Sequence, residues 1–186
     1  MRIALLAVVL LLGLAVRDDR ALLSTNFDDP EQPLAKQLAG RPQNTIEPAT
    51  GKDGTPGLRT RYVGGDMGSE RVTARPMLPR PVTEATLSFD VRFAGDFQFV
   101  SGGKLHGLGP ANPTTGGEPT KPDGWSTRLM WRTGGVLQTY VYDQLKETKW
   151  GASINAQDFA FETGRWYAIA MHTKLNDPPE AANGFV

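Results

Sequence analysis

The strongest constraint on the fold is a run of alternating apolar and polar residues, TLSFDVRF, at positions 86–93. Every second side chain in this run is large and apolar, which is the period of a β-strand with one buried face. GRWYAIAMHT at 164–173 is a further predicted strand, and no convincing helical periodicity occurs between residues 58 and 174. We therefore predict an antiparallel all-β domain, a β-sandwich of jelly-roll type.

Weaker patterns flank this core. LRTRYV at 58–63 is predicted to be the first strand, and SERVTARPML at 69–78 a weaker one that Pro76 would confine to a sheet edge. FQFV at 97–100 follows the main strand. The segment 107–124 is rich in Gly, Pro and Thr and too long for a tight hairpin, so we predict that it shapes the wall of a cleft.

The first residues have the character of a targeting segment. An apolar run from Ile3 to Val16 follows Arg2; it is short for a membrane span and typical of a secretory signal. We predict residues 1–20 to be a signal peptide or an N-terminal anchor, and the protein to be secreted or extracytoplasmic.

The remaining chain divides by composition near residue 57. Residues 21–57 are polar and contain prolines, so we predict a linker or draped surface segment with a short helix around 33–38. Residues 58–186 form the predicted jelly-roll domain. Asn183 and Gly184 predict a turn into another strand, and we therefore expect a domain that is incomplete at its C-terminus.

Composition excludes several classes of function. The 186 residues include 20 basic and 20 acidic side chains, so no global field directs the protein to nucleic acid or to a membrane surface. The chain has no cysteine, which excludes disulfides, a thiol nucleophile and a cysteine-based zinc site. His106 and His172 lack the spacing of metal ligands, and we predict neither a metal nor a cofactor. The sequence does not determine the oligomeric state.

The candidate site is a set of polar residues on three predicted strands: Lys104, Ser126, Arg128, Tyr140 and Tyr142. Arg128 can bind both oxygens of a sugar carboxylate, and Lys104 adds a compact positive charge. Ser126 can hydrogen-bond the same sugar. These groups suit β-elimination from a 1,4-linked uronate, in which the C5 proton is removed, charge develops on the C6 carboxylate and O4 leaves.

The proton-transfer roles are open at this stage. Tyr142 is the candidate base or base/acid, Tyr140 assists or serves as the acid, and His106 is a possible substitute base. Tyrosine has an ordinary pKa of about 10. We expect Lys104 and Arg128 to favour tyrosinate and so to lower the tyrosine pKa.

The hairpin loop decides whether these side chains meet. A two-residue turn at Gly134 and Gly135 would pair Arg128 with Val141 and direct the tyrosines to the opposite face. We predict instead an odd loop of three residues with a glycine in the left-handed conformation, which pairs Arg128 near Tyr142.

The ordered segments GGKLHGL (102–108), GWSTRLMWR (124–132) and YVY (140–142) resemble family 14 polysaccharide lyases, the alginate and polyglucuronate lyases built on a β-jelly roll. The resemblance implies that Lys104, Ser126, Arg128, Tyr140 and Tyr142 occupy the family's active-site positions. It also implies an acidic polysaccharide, alginate or glucuronan, as the partner.

The chain departs from this family pattern at His106, where members more usually have proline. We predict that His106 changes the rim beside Lys104 and contributes to substrate binding. As a second departure, we expect the further C-terminal strands that the family supplies to be missing.

Two alternative functions remain open, namely a non-catalytic module that binds acidic polysaccharide and a degenerate, inactive lyase-like protein. Arg and Tyr at alternate positions can simply form the solvent face of a sheet. Trp131, opposite in phase to Arg128, is predicted to lie in the core. A glycoside hydrolase is disfavoured because residues 102–142 contain no suitable pair of carboxylates.

Overall fold

The computed structural model describes residues 21–186 except residues 67 and 71. The predicted signal peptide or anchor, residues 1–20, lies outside this part. The helix and strands, in chain order, are α1 (Pro33–Ala39), β1 (Asn44–Glu47), β2 (Gly57–Thr60), β3 (Glu84–Arg92), β4 (Gly102–Leu108), β5 (Ser126–Arg132), β6 (Val136–Tyr142), β7 (Ala152–Ala160) and β8 (Trp166–Lys174).

The strands form antiparallel sheets. The largest has the order β4-β5-β6-β7, a two-stranded sheet joins β3 to β8, and a small ribbon joins β1 to β2. The long pairing of β3 with β8 follows from the alternation that predicted both strands. These sheets confirm the predicted all-β antiparallel sandwich of jelly-roll type.

The core lies between the four-stranded sheet and the β3–β8 sheet. Its buried centre consists of Phe93, Trp131 and Phe161, with ring centroids 5.4 Å apart for Phe93–Trp131 and 5.1 Å for Phe93–Phe161. Trp131 is 5% exposed, which confirms its predicted place in the core. Phe97 and Phe99 pack against this centre, although residues 97–100 form no strand.

The segment before residue 58 has more structure than a linker. The predicted short helix is present as α1, and β1 pairs with β2 from Asn44 opposite Thr60 to Glu47 opposite Gly57. The ribbon joins the main domain through Arg92, which donates to the Thr50 carbonyl at 3.3 Å. The predicted boundary at 57/58 falls within β2, one of the two strands of this ribbon.

Other strand predictions need correction. Among the described residues of 69–78 there is no strand, so that prediction is wrong. Strand β7 was missed because all but one of its residues are exposed, and no buried face shaped its sequence. Near the C-terminus, Phe185 forms an isolated bridge with Lys174. No helix within the described residues has the length and apolarity needed to span a membrane.

Candidate functional site

The β5–β6 hairpin brings the predicted arginine and tyrosines to one face. Its loop is the three-residue turn Thr133–Gly135, and Gly134 and Gly135 have φ of 72° and 81°. Arg128 lies opposite Tyr140 and Ser126 opposite Tyr142. The odd loop, its left-handed glycines and the shared face are confirmed, while the direct partner of Arg128 is Tyr140.

This face forms a cleft of about 450 Å³ on the side of the four-stranded sheet away from the core. Four of the five predicted site residues line it: Lys104, Arg128, Tyr140 and Tyr142. The other lining residues come from the same sheet and two adjoining loops: Gly116, Met130, Arg132, Gln138, Trp150, Gly151 and Ser153. Because Gly116 belongs to the segment 107–124, the prediction that this segment shapes a cleft wall is confirmed.

Arg128 is oriented by a chain of hydrogen bonds. Its Nη2 donates to Ser126 Oγ at 2.6 Å, and Ser126 Oγ donates to the Thr114 carbonyl at 2.7 Å. Ser126 is only 3% exposed. The hydroxyl proton of Ser126 is thus used within the protein, and in this arrangement the side chain holds the guanidinium in place from below the cleft surface.

The two tyrosines form a hydrogen-bonded pair. Tyr140 donates from its hydroxyl to the Tyr142 hydroxyl at 3.3 Å, with the rings edge to face at 5.4 Å. Each oxygen also accepts a backbone N–H, from Gly151 to Tyr140 at 3.1 Å and from Gly117 to Tyr142 at 3.0 Å. Tyr142 is 1% exposed and Tyr140 is half-buried, so Tyr140 is the member that a ligand meets more readily.

The pKa of Tyr140 is shifted in the direction opposite to the one expected from the sequence. Burial and the hydrogen bond to Tyr142 raise the pKa of Tyr140, and they outweigh the opposing effects of the Gly151 N–H and of Arg128. The guanidinium carbon of Arg128 lies 6.0 Å from the Tyr140 ring centroid. Arg128 therefore favours tyrosinate as expected, but the expected net lowering of the tyrosine pKa is wrong for Tyr140.

Burial also acts on the arginine. It lowers the pKa of Arg128, while the nearby tyrosines oppose that change. Arginine nevertheless keeps its proton in proteins. The cleft thus contains a partly desolvated, fixed positive charge, which attracts a carboxylate more strongly than the same charge in water.

Lys104 and His106 both belong to β4, but their side chains lie in different surroundings. Lys104 lies opposite Met130 and lines the cleft. The register of β4 shifts between Lys104 and Gly107, and the His106 ring packs edge-on against Phe89 of β3 at 4.7 Å. Burial of the ring lowers the pKa of His106, although the residue as a whole retains exposed surface. The structure thus places His106 against the other sheet, apart from the cleft-lining group.

The sequence reasoning missed the backbone donors and two of the side chains that line the cleft. The N–H groups of Gly117 and Gly151 carry no side-chain signature that a motif could reveal. Trp150, 54% exposed, lines the cleft, and Arg132 also lines it and was passed over although it shares the phase of Arg128. Within the described residues, no three His, Cys, Asp or Glu side chains are grouped as metal ligands.

Comparison with known proteins identifies the family. The family model for polysaccharide lyase 14 matches residues 64–186, about two thirds of the chain. The chain belongs to this family. Among solved structures, the alginate lyase vAL-1 from Chlorella virus is similar at 19% identity, with a TM-score of 0.49. The match covers 72% of this chain and 61% of that one, and no curated protein matches.

Proposed function

We propose that this member of the polysaccharide lyase 14 family cleaves an acidic polyuronate, alginate or glucuronan, by β-elimination. The observation that carries the proposal is the Tyr140–Tyr142 hydroxyl pair beside Arg128 in one cleft. Among the described residues, the cleft lining contains three cationic side chains and no Asp or Glu. A cleft with this charge favours an anionic sugar chain in a protein whose net charge is zero.

Arg128 and Lys104 bind the C6 carboxylate of the sugar that loses its proton. Removal of the C5 proton places negative charge on that carboxylate, and the two cations stabilise this charge where it develops. The Ser126 hydroxyl and the Thr114 carbonyl hold the guanidinium before substrate arrives, so little reorganisation is needed in the transition state.

The tyrosine pair moves the proton. In the reactive form the two oxygens share one proton, and Tyr140, the more accessible member, faces the sugar. Its oxygen takes the C5 proton while its own proton passes to Tyr142. Tyr140 then gives a proton to O4 as the C4–O4 bond breaks, and the proton on Tyr142 returns. The products are one chain that ends in a sugar with a C4=C5 double bond and a departing chain that keeps the former O4 as a new hydroxyl, with the tyrosine pair unchanged.

Ultraviolet absorbance tests the proposal directly. Elimination conjugates a new double bond to the carboxylate, so absorbance should rise when the protein is mixed with polymannuronate, polyguluronate or glucuronan. A protein that is folded by circular dichroism but gives a flat trace on all three polymers contradicts the proposal. Retained affinity for the polymers in that case would favour the binding module.

The tyrosine role is tested by Tyr140→Phe, which should reduce turnover by at least about a hundredfold because proton transfer is lost. Tyr167→Phe is the matched control. It also removes a hydroxyl that accepts a backbone N–H, from Glu162 at 2.8 Å, but on β8. Equal turnover by the two variants would contradict the assigned role.

Export of the protein is also part of the proposal, based on the apolar run at residues 3–16.

A further inference from the structure

We infer that Arg132 binds a second carboxylate of the polysaccharide, on a different sugar from the one held by Arg128. This inference rests on the proposed function. Both arginines are on β5 and line the same cleft. Four residues along a strand at about 3.3 Å each separate their backbones by roughly 13 Å. The Arg128 guanidinium is turned towards Ser126 and that of Arg132 lies beside Gly102 of β4, so two sugars of one chain can supply a carboxylate to each.

The floor between the two arginines fits an uncharged part of the ligand. Met130 lies opposite Gln138, and Gln138 donates to Asn155 Oδ1 at 2.6 Å across the neighbouring strands. An apolar side chain beside paired amides offers a surface for a sugar ring and donors or acceptors for its hydroxyls. Lys104 borders the same row, opposite Met130.

The position of Arg132 leaves its charge available. A Cβ on Gly102 would lie only 3.2 Å from the Arg132 Nη1 atom, so the guanidinium rests over a strand position that has no side chain. Within the described residues, none of the ion pairs involves Arg132. The guanidinium carries five N–H donors in a geometry that matches a carboxylate.

A solvated arginine at a strand end is common, and its exposure alone indicates no ligand. Arg132 differs because its side chain lines the same cleft as Lys104 and Arg128, and the described lining residues of that cleft include no Asp or Glu. Three cations along one groove repel one another and are stabilised together when a polyanion lies across them. The spacing therefore predicts that affinity depends on the length of the uronate chain.

Binding of oligouronates measures this dependence. Calorimetry would compare Tyr140→Phe with the double variant Tyr140→Phe/Arg132→Gln, on a background that does not consume the ligand. We expect Arg132→Gln to lower the affinity for a uronate hexasaccharide about tenfold. This is the lower end of the range for loss of one charged hydrogen-bonded contact. A uronate disaccharide, which reaches only Arg128, should bind the single and the double variant equally. A hexamer with its carboxyl groups reduced to alcohols should not respond to the substitution.

Arg165→Gln in the same background is the matched control. Arg165 is also exposed and lies just before β8, where it pairs with Glu162 at 3.5 Å. Unchanged hexamer affinity in the Arg132→Gln protein overturns the inference, and so does equal weakening of dimer and hexamer or no binding of any oligouronate. Failure of the proposed function appears separately, as a flat absorbance trace for the wild-type protein, because the binding measurement requires no turnover.

Discussion

The two faces of β5 are built from alternating residues of the same seven-residue strand, yet they are stabilised in different ways. On the inner face, Trp131 joins a cluster of aromatic rings between the sheets. On the outer face, Arg128 is held by Ser126 and through it by the Thr114 carbonyl. One face is thus fixed by packing and the other by directed hydrogen bonds, although the two faces alternate along the same strand.

The sources of these contacts also differ. The inner face is closed by aromatic side chains, among them Phe93, Phe97 and Phe161, and such packing needs no particular donor or acceptor direction. The tyrosines of the outer face depend on two loops, through the N–H groups of Gly117 and Gly151. The comparison indicates that core substitutions should act on stability, whereas cleft substitutions should act on turnover.

The largest loss of stability is expected from a substitution on the inner face. Trp131→Ala removes a ring that contacts Phe93 and Phe97 at centroid distances of 5.4 and 5.5 Å. Burial of the ring is lost and a cavity remains, so we expect a loss of about 3–5 kcal/mol in the free energy of unfolding. Urea denaturation followed by tryptophan fluorescence and circular dichroism measures it.

Arg128→Gln is the control from the outer face of the same strand. It should lower turnover by about a hundred- to a thousandfold through lost charge stabilisation. The free energy of unfolding should change far less than in Trp131→Ala, because Arg128 is only half-buried and burial already disfavours its charge. If Trp131→Ala leaves stability intact, or Arg128→Gln unfolds the protein, the division between the faces is wrong.

Sequence patterns predicted the features that depend on the local order of residues along a strand or loop. Alternation at 86–93 predicted β3, and strand phase together with the odd loop placed Arg128 and the tyrosines on one face. The patterns failed where tertiary contacts decide. Strand β7 has no buried face to mark it, and the raised pKa of Tyr140 arises from burial that a motif does not encode.

An intermediate effect is expected at the loop that sets the register. Gly135 has φ of 81°, and a Cβ there would lie only 2.3 Å from the Phe161 carbonyl oxygen. Gly135→Ala should therefore cost about 1–3 kcal/mol of stability and lower turnover, because the clash displaces the β5–β6 hairpin.

Gly134→Ala provides the matched control for the clash. Gly134 has φ of 72°, but a Cβ there meets nothing within 4 Å. It should cost only the left-handed backbone penalty of about 1 kcal/mol and leave turnover near that of the unaltered protein. Thermal unfolding and the absorbance assay separate the two variants. Equal losses would mean that the contact with Phe161 does not hold the register.

The last prediction is the pH dependence of kcat, which arises from the tyrosine pair on the outer face. Turnover requires the tyrosine pair to have lost one proton, so kcat should rise with pH by up to about tenfold per unit on the acid side. Loss of the second proton ends activity. Because burial and the Tyr142 hydrogen bond raise the pKa of Tyr140, this alkaline fall should lie above the range of an ordinary tyrosine. A fall in kcat that begins below the ordinary tyrosine pKa of about 10 would contradict the assignment of proton transfer to the tyrosine pair.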